Sequence, residues 1–206
     1  MFEVLKSGGL LMIPIIFCGI AATFIVFERF FYYMNIKKRE TMFVKEIKRL
    51  ISAHRFDDAV ILCDNVGTPS AKVLKKAIEC RTWPEDNIKE IVSVEIDSVI
   101  PELDHLLTPL GTIANISTLL GLLGTVTGNI QAFGVLSAGA SMGNPAVLAG
   151  AIAEALVTTA GGLVVSIPSV IFHNYFVSRV NRKIAEIESV ATSVVLQLCG
   201  HTHNEN

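Results

Sequence analysis

The chain has 206 residues, of which 51% are hydrophobic and 17% are charged, and its formal net charge is −2. Soluble domains usually contain about 25% charged residues, so this composition favours a membrane protein. The small negative net charge gives no argument for nucleic acid as a partner. The four cysteines show no metal-ligand spacing, so we expect unpaired packing residues.

The first apolar run predicts a membrane-spanning helix close to the N-terminus. Residues 7–27 contain no charged side chain, and roughly 20 apolar helical residues suffice to cross a bilayer core. The run ends in aromatic residues from Phe27 to Tyr33, which is typical of the membrane–water boundary. A signal peptide would have a basic start and a small-residue cleavage site. This chain instead starts with one acidic and one basic residue, Glu3 and Lys6, and its apolar run ends in bulky side chains. We therefore assign 1–35 to the N-terminus and an uncleaved first transmembrane helix.

Charged residues then become frequent, and residues 36–104 predict a small helical domain on the cytoplasmic side. Apolar residues recur there at helical spacing. Ser70 is the expected cap of a helix that runs to Ala77. The apolar set that begins at Ile88 predicts a last helix that continues into the membrane.

The second span, 105–136, combines small residues with uncharged polar ones. Gly124 and Gly128 have the four-residue spacing of a close helix-packing face. Polar groups such as that of Thr125 are expected to face a bundle interior or a wet cavity. Residues 137–145 form a short turn by composition. The glycines that we assign to helix packing are Gly121, Gly124 and Gly128, with Gly161 and Gly162 of the next span.

The third span, 146–178, contains one acidic residue, Glu154. Between His105 and Arg179 the only other readily titratable side chain is His173, which we expect at the membrane interface. A charge at bilayer depth costs on the order of a few kcal/mol, so an intramembrane acid is treated as functional by default. A low dielectric disfavours the charged carboxylate. We therefore predict proton or cation handling, with a protonated, purely structural glutamic acid as the alternative.

Threonines accompany this acid. Thr158 follows Glu154 by one turn and shares its face, whereas Thr159 is rotated away by more than a quarter turn. A threonine in a helix often bonds back to its own backbone. Thr125 and the third-span threonines could nevertheless line a narrow path together. We assign no catalytic set, metal site or cofactor to this chain and predict that it is not an enzyme.

Basic residues predict the orientation of the chain. Fifteen of the 17 lysines and arginines lie between Lys37 and Lys89 or in the tail 179–206, and the turn 137–145 has none. The positive-inside rule places the N-terminus and the turn in the periplasm, and the helical domain and the tail in the cytoplasm. Periodic apolar positions in the tail predict that the third helix continues beyond the membrane.

Two stretches of the later spans resemble signatures of the ExbB/TolQ/MotA proton-channel family. The sequence GLLGTVTG over Gly121–Gly128, followed by Phe133, is similar to its second transmembrane signature. The sequence AIAEALVTTA at 151–160, continued by GGLVVSIP to Pro168, is similar to its third. The resemblance covers essentially the whole chain. The single modest cytoplasmic loop suits ExbB or TolQ better than the larger MotA stator.

The resemblance implies an all-α bacterial inner-membrane subunit that forms a homopentamer. Its central pore would hold helices of a single-span partner of the ExbD or TolR kind, which brings a proton-accepting aspartate. A TonB- or TolA-like protein would receive the force. By motif position the pore residues fall on Thr125, Glu154 and Thr159, so the resemblance ranks Thr159 above Thr158.

The predicted function is therefore a proton-conducting motor subunit that couples the proton motive force to work on a periplasmic or outer-membrane system. A flagellar-type, MotA-like stator subunit is one alternative. A purely structural membrane scaffold, in which the polar residues only bind helices together, is the other.

Overall fold

The computed structural model describes residues 8–137 and 145–200, and within these ranges every regular element is a helix. Three of the helices, α1, α5 and α6, contain stretches long and apolar enough to cross a membrane. This confirms the predicted all-α fold with three membrane-spanning helices. The helices are α1 (Met12–Ser52), α2 (Phe56–Val66), α3 (Pro69–Glu79), α4 (Glu85–Asp104), α5 (Leu107–Ser137) and α6 (Pro145–Leu198).

The chain forms two compact units. Unit 1 contains the chain up to Glu28 together with Leu106–Tyr175, and unit 2 contains Arg29–His105 together with the chain from Phe176 onward. The divisions fall inside α1 and α6, because both helices continue well past their apolar stretches. Most of the predicted turn at 137–145 lies outside the described residues.

Unit 2 has a core made from one apolar face of each of its helices. The side chains that are at most 2% exposed include Ile47, Leu74, Ile78, Ile88, Leu103 and Ile187. Gly67 ends α2 in the left-handed conformation, with φ of 60°, and its N–H donates to the Cys63 carbonyl. A glycine is favoured at this position because it has no Cβ to strain.

The cap of α3 is Thr68, so the prediction of Ser70 as the cap is wrong. The Thr68 hydroxyl accepts the N–H of Ala71 at 3.4 Å. Pro69 already occupies the first helical position, which suits its fixed φ and its missing N–H. Ser70 is instead buried inside the helix, and its hydroxyl donates to the Glu40 carboxylate at 2.5 Å.

The last helix of the helical domain 36–104 does not continue into the second span. Helix α4 ends at Asp104 and α5 begins at Leu107. Leu106 between them has a φ of 66°, a left-handed conformation that a non-glycine residue seldom adopts. Two separate helices thus replace the predicted continuous one, with the break at residues 105 and 106.

All four cysteines are free, as predicted. Cys63 and Cys80 are buried in unit 2. Burial, helped by the neighbouring Asp64 carboxylate, raises the pKa of the Cys63 thiol to about 12. The thiolate is the reactive form, so Cys63 is an inert packing residue at neutral pH.

A buried ion pair joins α1 to α6 within unit 2. The Lys183 ammonium contacts the Glu40 carboxylate, and the two side chains are 14% and 3% exposed. Ser70 donates to the other oxygen of the same carboxylate. A buried charge is tolerated where it is paired and hydrogen-bonded, which this arrangement provides from three helices.

Candidate functional site in the membrane-spanning unit

Helices α5 and α6 approach each other closely in unit 1 because glycines occupy the contact. A Cβ on Gly124 would lie 2.6 Å from Thr158 Cγ2, and one on Gly128 would lie 2.5 Å from Ala155 Cβ. On α6, a Cβ on Gly162 would lie 2.5 Å from the Ser117 carbonyl oxygen. Gly121 faces the Thr159 backbone, and Gly161 faces Met12 of α1.

We expect Gly162→Ala to weaken this helix contact. The new methyl group would meet backbone atoms of α5 that cannot rotate away, so the free energy of unfolding should fall by about 1–3 kcal/mol. The matched control is Gly150→Ala on the same helix, where a Cβ meets nothing within 4 Å. Thermal unfolding of the detergent-solubilised chain measures both variants. Equal melting temperatures for the two variants would contradict the assigned contact.

Thr158 holds the residues before α1 against α6. It is 1% exposed, and its Oγ1 lies 2.7 Å from the Gly8 carbonyl oxygen and 2.9 Å from the Glu154 carbonyl oxygen. The second contact is the common bond of a helical threonine to the preceding turn. The first joins residues 150 positions apart, so Thr158 helps to fix where the chain enters α1.

Glu154 is half-buried and lies beside the same entry segment. A Cβ on Gly9 would overlap a carboxyl oxygen of Glu154, and Gly9 has a φ of 63°. Glycine is favoured at position 9 by this left-handed conformation, and it also leaves the space that the carboxyl group occupies. Within the described part of unit 1 the carboxylic acids are Glu28, at its boundary, and Glu154.

Thr159 and Thr125 lie on the other side of the site, toward α5. The Thr159 hydroxyl is 2.7 Å from the Gly121 carbonyl oxygen and 3.1 Å from that of Ala155. The Thr125 hydroxyl donates to the Leu122 carbonyl at 2.7 Å. Each hydroxyl therefore has a backbone acceptor for its proton and keeps lone pairs that can accept from water or from an acid.

The structure brings some of the predicted pore residues together and separates others. Glu154 and Thr158 share the flank of α6 that meets the start of α1, whereas Thr159 meets α5. Five residues of α-helix turn through about 500°, so Glu154 and Thr159 are about 140° apart around α6. A single chain thus does not gather Thr125, Glu154 and Thr159 on one surface.

Two features of the site were missed by sequence reasoning. The first is a polar stripe on one face of α5, formed by Asn115, Thr118, Thr125 and Asn129 at intervals of three, seven and four residues. The second is a bond across the helices, in which the Thr118 hydroxyl donates to Ser166 Oγ at 2.6 Å. The helical spacing of the stripe was visible in the sequence. The pairing of Thr118 with Ser166 depends on the register of α5 against α6.

A family model and several similar proteins indicate the same protein family. The model of the MotA/TolQ/ExbB proton channel family matches residues 65–189. An ExbB-like biopolymer transport protein of Synechocystis sp. is 28% identical over 191 residues, or 92% of this chain and 91% of the relative. The biopolymer transport protein ExbB of Salmonella typhimurium is 30% identical over 196 residues, or 90% of this chain and 79% of the relative.

A shorter match adds a second branch of the same family. The Tol-Pal system protein TolQ of Haemophilus influenzae is 39% identical over 101 residues, or 48% of this chain and 44% of the relative. The family match covers more than half of the chain, including the close contact of α5 with α6 and the carboxyl group of Glu154. With its three apolar helices, this multi-pass membrane protein therefore belongs to the MotA/TolQ/ExbB proton channel family.

Proposed function

We propose that the chain is the proton-conducting subunit of an inner-membrane motor, which couples the proton motive force to work on a periplasmic or outer-membrane system. The observation that carries this proposal is Glu154, a half-buried carboxyl group in an apolar span of a proton-channel family member. An acid at this depth is costly, and proton relays are the use that membrane proteins commonly make of one.

The exposed polar groups of α5 support an assembly of several chains. In the apolar stretches of α1, α5 and α6, only 22%, 28% and 28% of the residues are buried. Asn115, Asn129 and Gln131 are exposed on α5, and such groups are expensive to leave in hydrocarbon. Further helices that cover these side chains would remove the cost. We assign this role to neighbouring copies in a homopentamer and to a single-span partner of the ExbD or TolR kind.

Within this assembly Glu154 exchanges the proton. Thr125 and Thr159 supply hydroxyl oxygens on the α5 side of the path, in agreement with the ranking that the family resemblance implies. Thr158 has a different part, because its buried hydroxyl holds the residues before α1 beside the carboxyl group. A TonB- or TolA-like protein would receive the force outside the membrane.

The distribution of basic residues supports the orientation. Lys38, Arg39, Arg179 and Arg182 follow the apolar stretches of α1 and α6. The positive-inside rule then places unit 2 in the cytoplasm and the N-terminus in the periplasm. The relatives named as biopolymer transport proteins align with about nine tenths of this chain, which favours that role over a MotA-like stator.

A structural scaffold is the second candidate, and one observation favours it. Thr125, Thr158 and Thr159 all donate to backbone carbonyls, as threonines do when they only pack helices. A scaffold would hold Glu154 protonated at all times and would pass no protons.

Proton flux distinguishes the two candidates. Membrane vesicles from cells that produce the chain with its native partners would be loaded with a pH-sensitive dye, and a potassium diffusion potential would drive protons inward. We expect acidification that is lost when the chain is deleted and is unchanged when sodium is replaced by choline. Equal acidification with and without the chain would refute proton conduction, and dependence on sodium would reassign the ion.

A further inference from the structure

The face of α6 that meets α5 carries three polar side chains at seven-residue intervals: Thr159, Ser166 and His173. Seven residues are close to two helical turns, so the three side chains lie in one row. Each meets α5 in antiparallel register. Thr159 bonds to the Gly121 carbonyl, Ser166 accepts the Thr118 hydroxyl, and the His173 ring lies over Gly111.

The His173 ring occupies space that Gly111 leaves open on α5. A Cβ on Gly111 would lie 2.9 Å from His173 Nε2 and 3.1 Å from Cδ2, so a larger residue there would push the ring out of its position. Glycine inside a helix costs about 0.5–1 kcal/mol relative to alanine, so its presence here needs a local reason. The imidazole is half-buried, and the other ring nitrogen, Nδ1, lies 3.4 Å from Asn174 Oδ1.

His173 and Glu154 lie far apart along the length of α6. The two residues are 19 positions apart on one continuous helix, which corresponds to about 28 Å of rise. The hydrocarbon core of a bilayer is about 30 Å thick, so the two side chains lie near opposite ends of the crossing. Buried hydroxyls lie between them: Thr158 is 1% exposed, Ser166 is 5% exposed and Ser169 is 3% exposed.

We propose that His173 is the second proton-exchanging group of this subunit, at the opposite end of the crossing from Glu154. The inference rests on the proposed function, because His173 has this role only if protons cross the assembly. A proton that reaches this end binds the lone pair of Nε2 on the neutral ring. The imidazolium then releases a proton to water on the side of the α6 C-terminus, so the neutral ring is restored and no charge accumulates.

Unit 1 holds few other titratable or charged groups among its described residues. The part of α5 in unit 1 has no titratable or charged side chain among its described residues. On α6 the nearest such groups along the chain are Tyr175 and Arg179, and the titratable groups of α1 in unit 1 are Cys18 and Glu28.

The test measures proton flux in vesicles that contain the native assembly, while the pH on the side of the α6 C-terminus is varied between about 5 and 8, the range in which imidazole changes charge. We expect His173→Gln to lower the flux by about 10²-fold and to remove the dependence of the flux on that pH. Gly111→Ala keeps the imidazole but displaces it, so we expect this variant to shift the pH dependence of the flux. Gly134→Ala is the matched control, because a Cβ there meets nothing within 4 Å.

Each outcome has one meaning. Wild-type rates and pH profiles in both His173→Gln and Gly111→Ala would overturn the role of His173. If His173→Gln does not assemble, the protonation of the His173 ring is followed by 15N NMR in a chain whose other four histidines are replaced by glutamine. A ring that stays neutral over the whole pH range would overturn the role of His173. The Glu154→Gln variant distinguishes the role of His173 from the proposed function. Retained flux in that variant refutes the proposed function itself, independently of His173.

Discussion

Replacing Glu154 by glutamine is expected to lower proton flux through the assembly by roughly 10²-fold or more, the scale on which a positioned proton-transfer group acts. Glutamine keeps the size of the side chain and its hydrogen-bonding capacity but cannot bind and release a proton. It should still fit beside Gly9, since the side chain that fills that space differs only in its terminal atoms. Assembly should therefore survive while conduction fails.

The measurement compares dye-reported acidification in vesicles that contain equal amounts of assembled protein. Glu188→Gln is the matched control, because Glu188 is an exposed glutamate on the same helix and lies in unit 2. It should leave the flux unchanged. Wild-type flux in Glu154→Gln vesicles would remove the central residue of the proposed mechanism, whatever the behaviour of the control.

Replacing Glu40 by alanine is expected to destabilise the chain by about 3 kcal/mol, because the Lys183 ammonium would lose its buried partner and keep only the exposed Glu186 carboxylate at 2.9 Å. The Ser70 hydroxyl would lose its acceptor at the same time. Denaturant unfolding of the detergent-solubilised chain, followed by circular dichroism, measures the loss as a lower midpoint.

Two further variants make this prediction specific. Glu102→Ala breaks a 2.7 Å ion pair with Lys72 whose side chains are 40% and 48% exposed, so it should cost about 1 kcal/mol or less. The double replacement of Glu40 by alanine and Lys183 by methionine removes both buried charges and should recover much of the lost stability. Equal losses for Glu40→Ala and Glu102→Ala would show that burial of the first pair is energetically unimportant.

The different neighbours of Thr158 and Thr159 could not be predicted from spacing alone. Helical geometry correctly placed Thr158 near Glu154, and the family resemblance selected Thr159 for the pore. The structure gives the two threonines different neighbours, the residues before α1 for Thr158 and α5 for Thr159. A helical repeat defines the faces of α6, but which helix each face meets depends on packing across more than a hundred residues of chain.

Hydrophobicity and local pattern were enough to predict three apolar helices, a charged helical segment between the first two, one intramembrane acid and the glycine-rich faces. Each follows from the cost of placing polar groups in lipid and from the period of a helix. The packed structure was needed to show that Thr68 caps α3, that Gly9 accommodates the Glu154 carboxyl group, and that His173 lies over Gly111. These contacts join residues far apart in the chain, so they depend on the register in which whole helices pack, which local preferences do not specify.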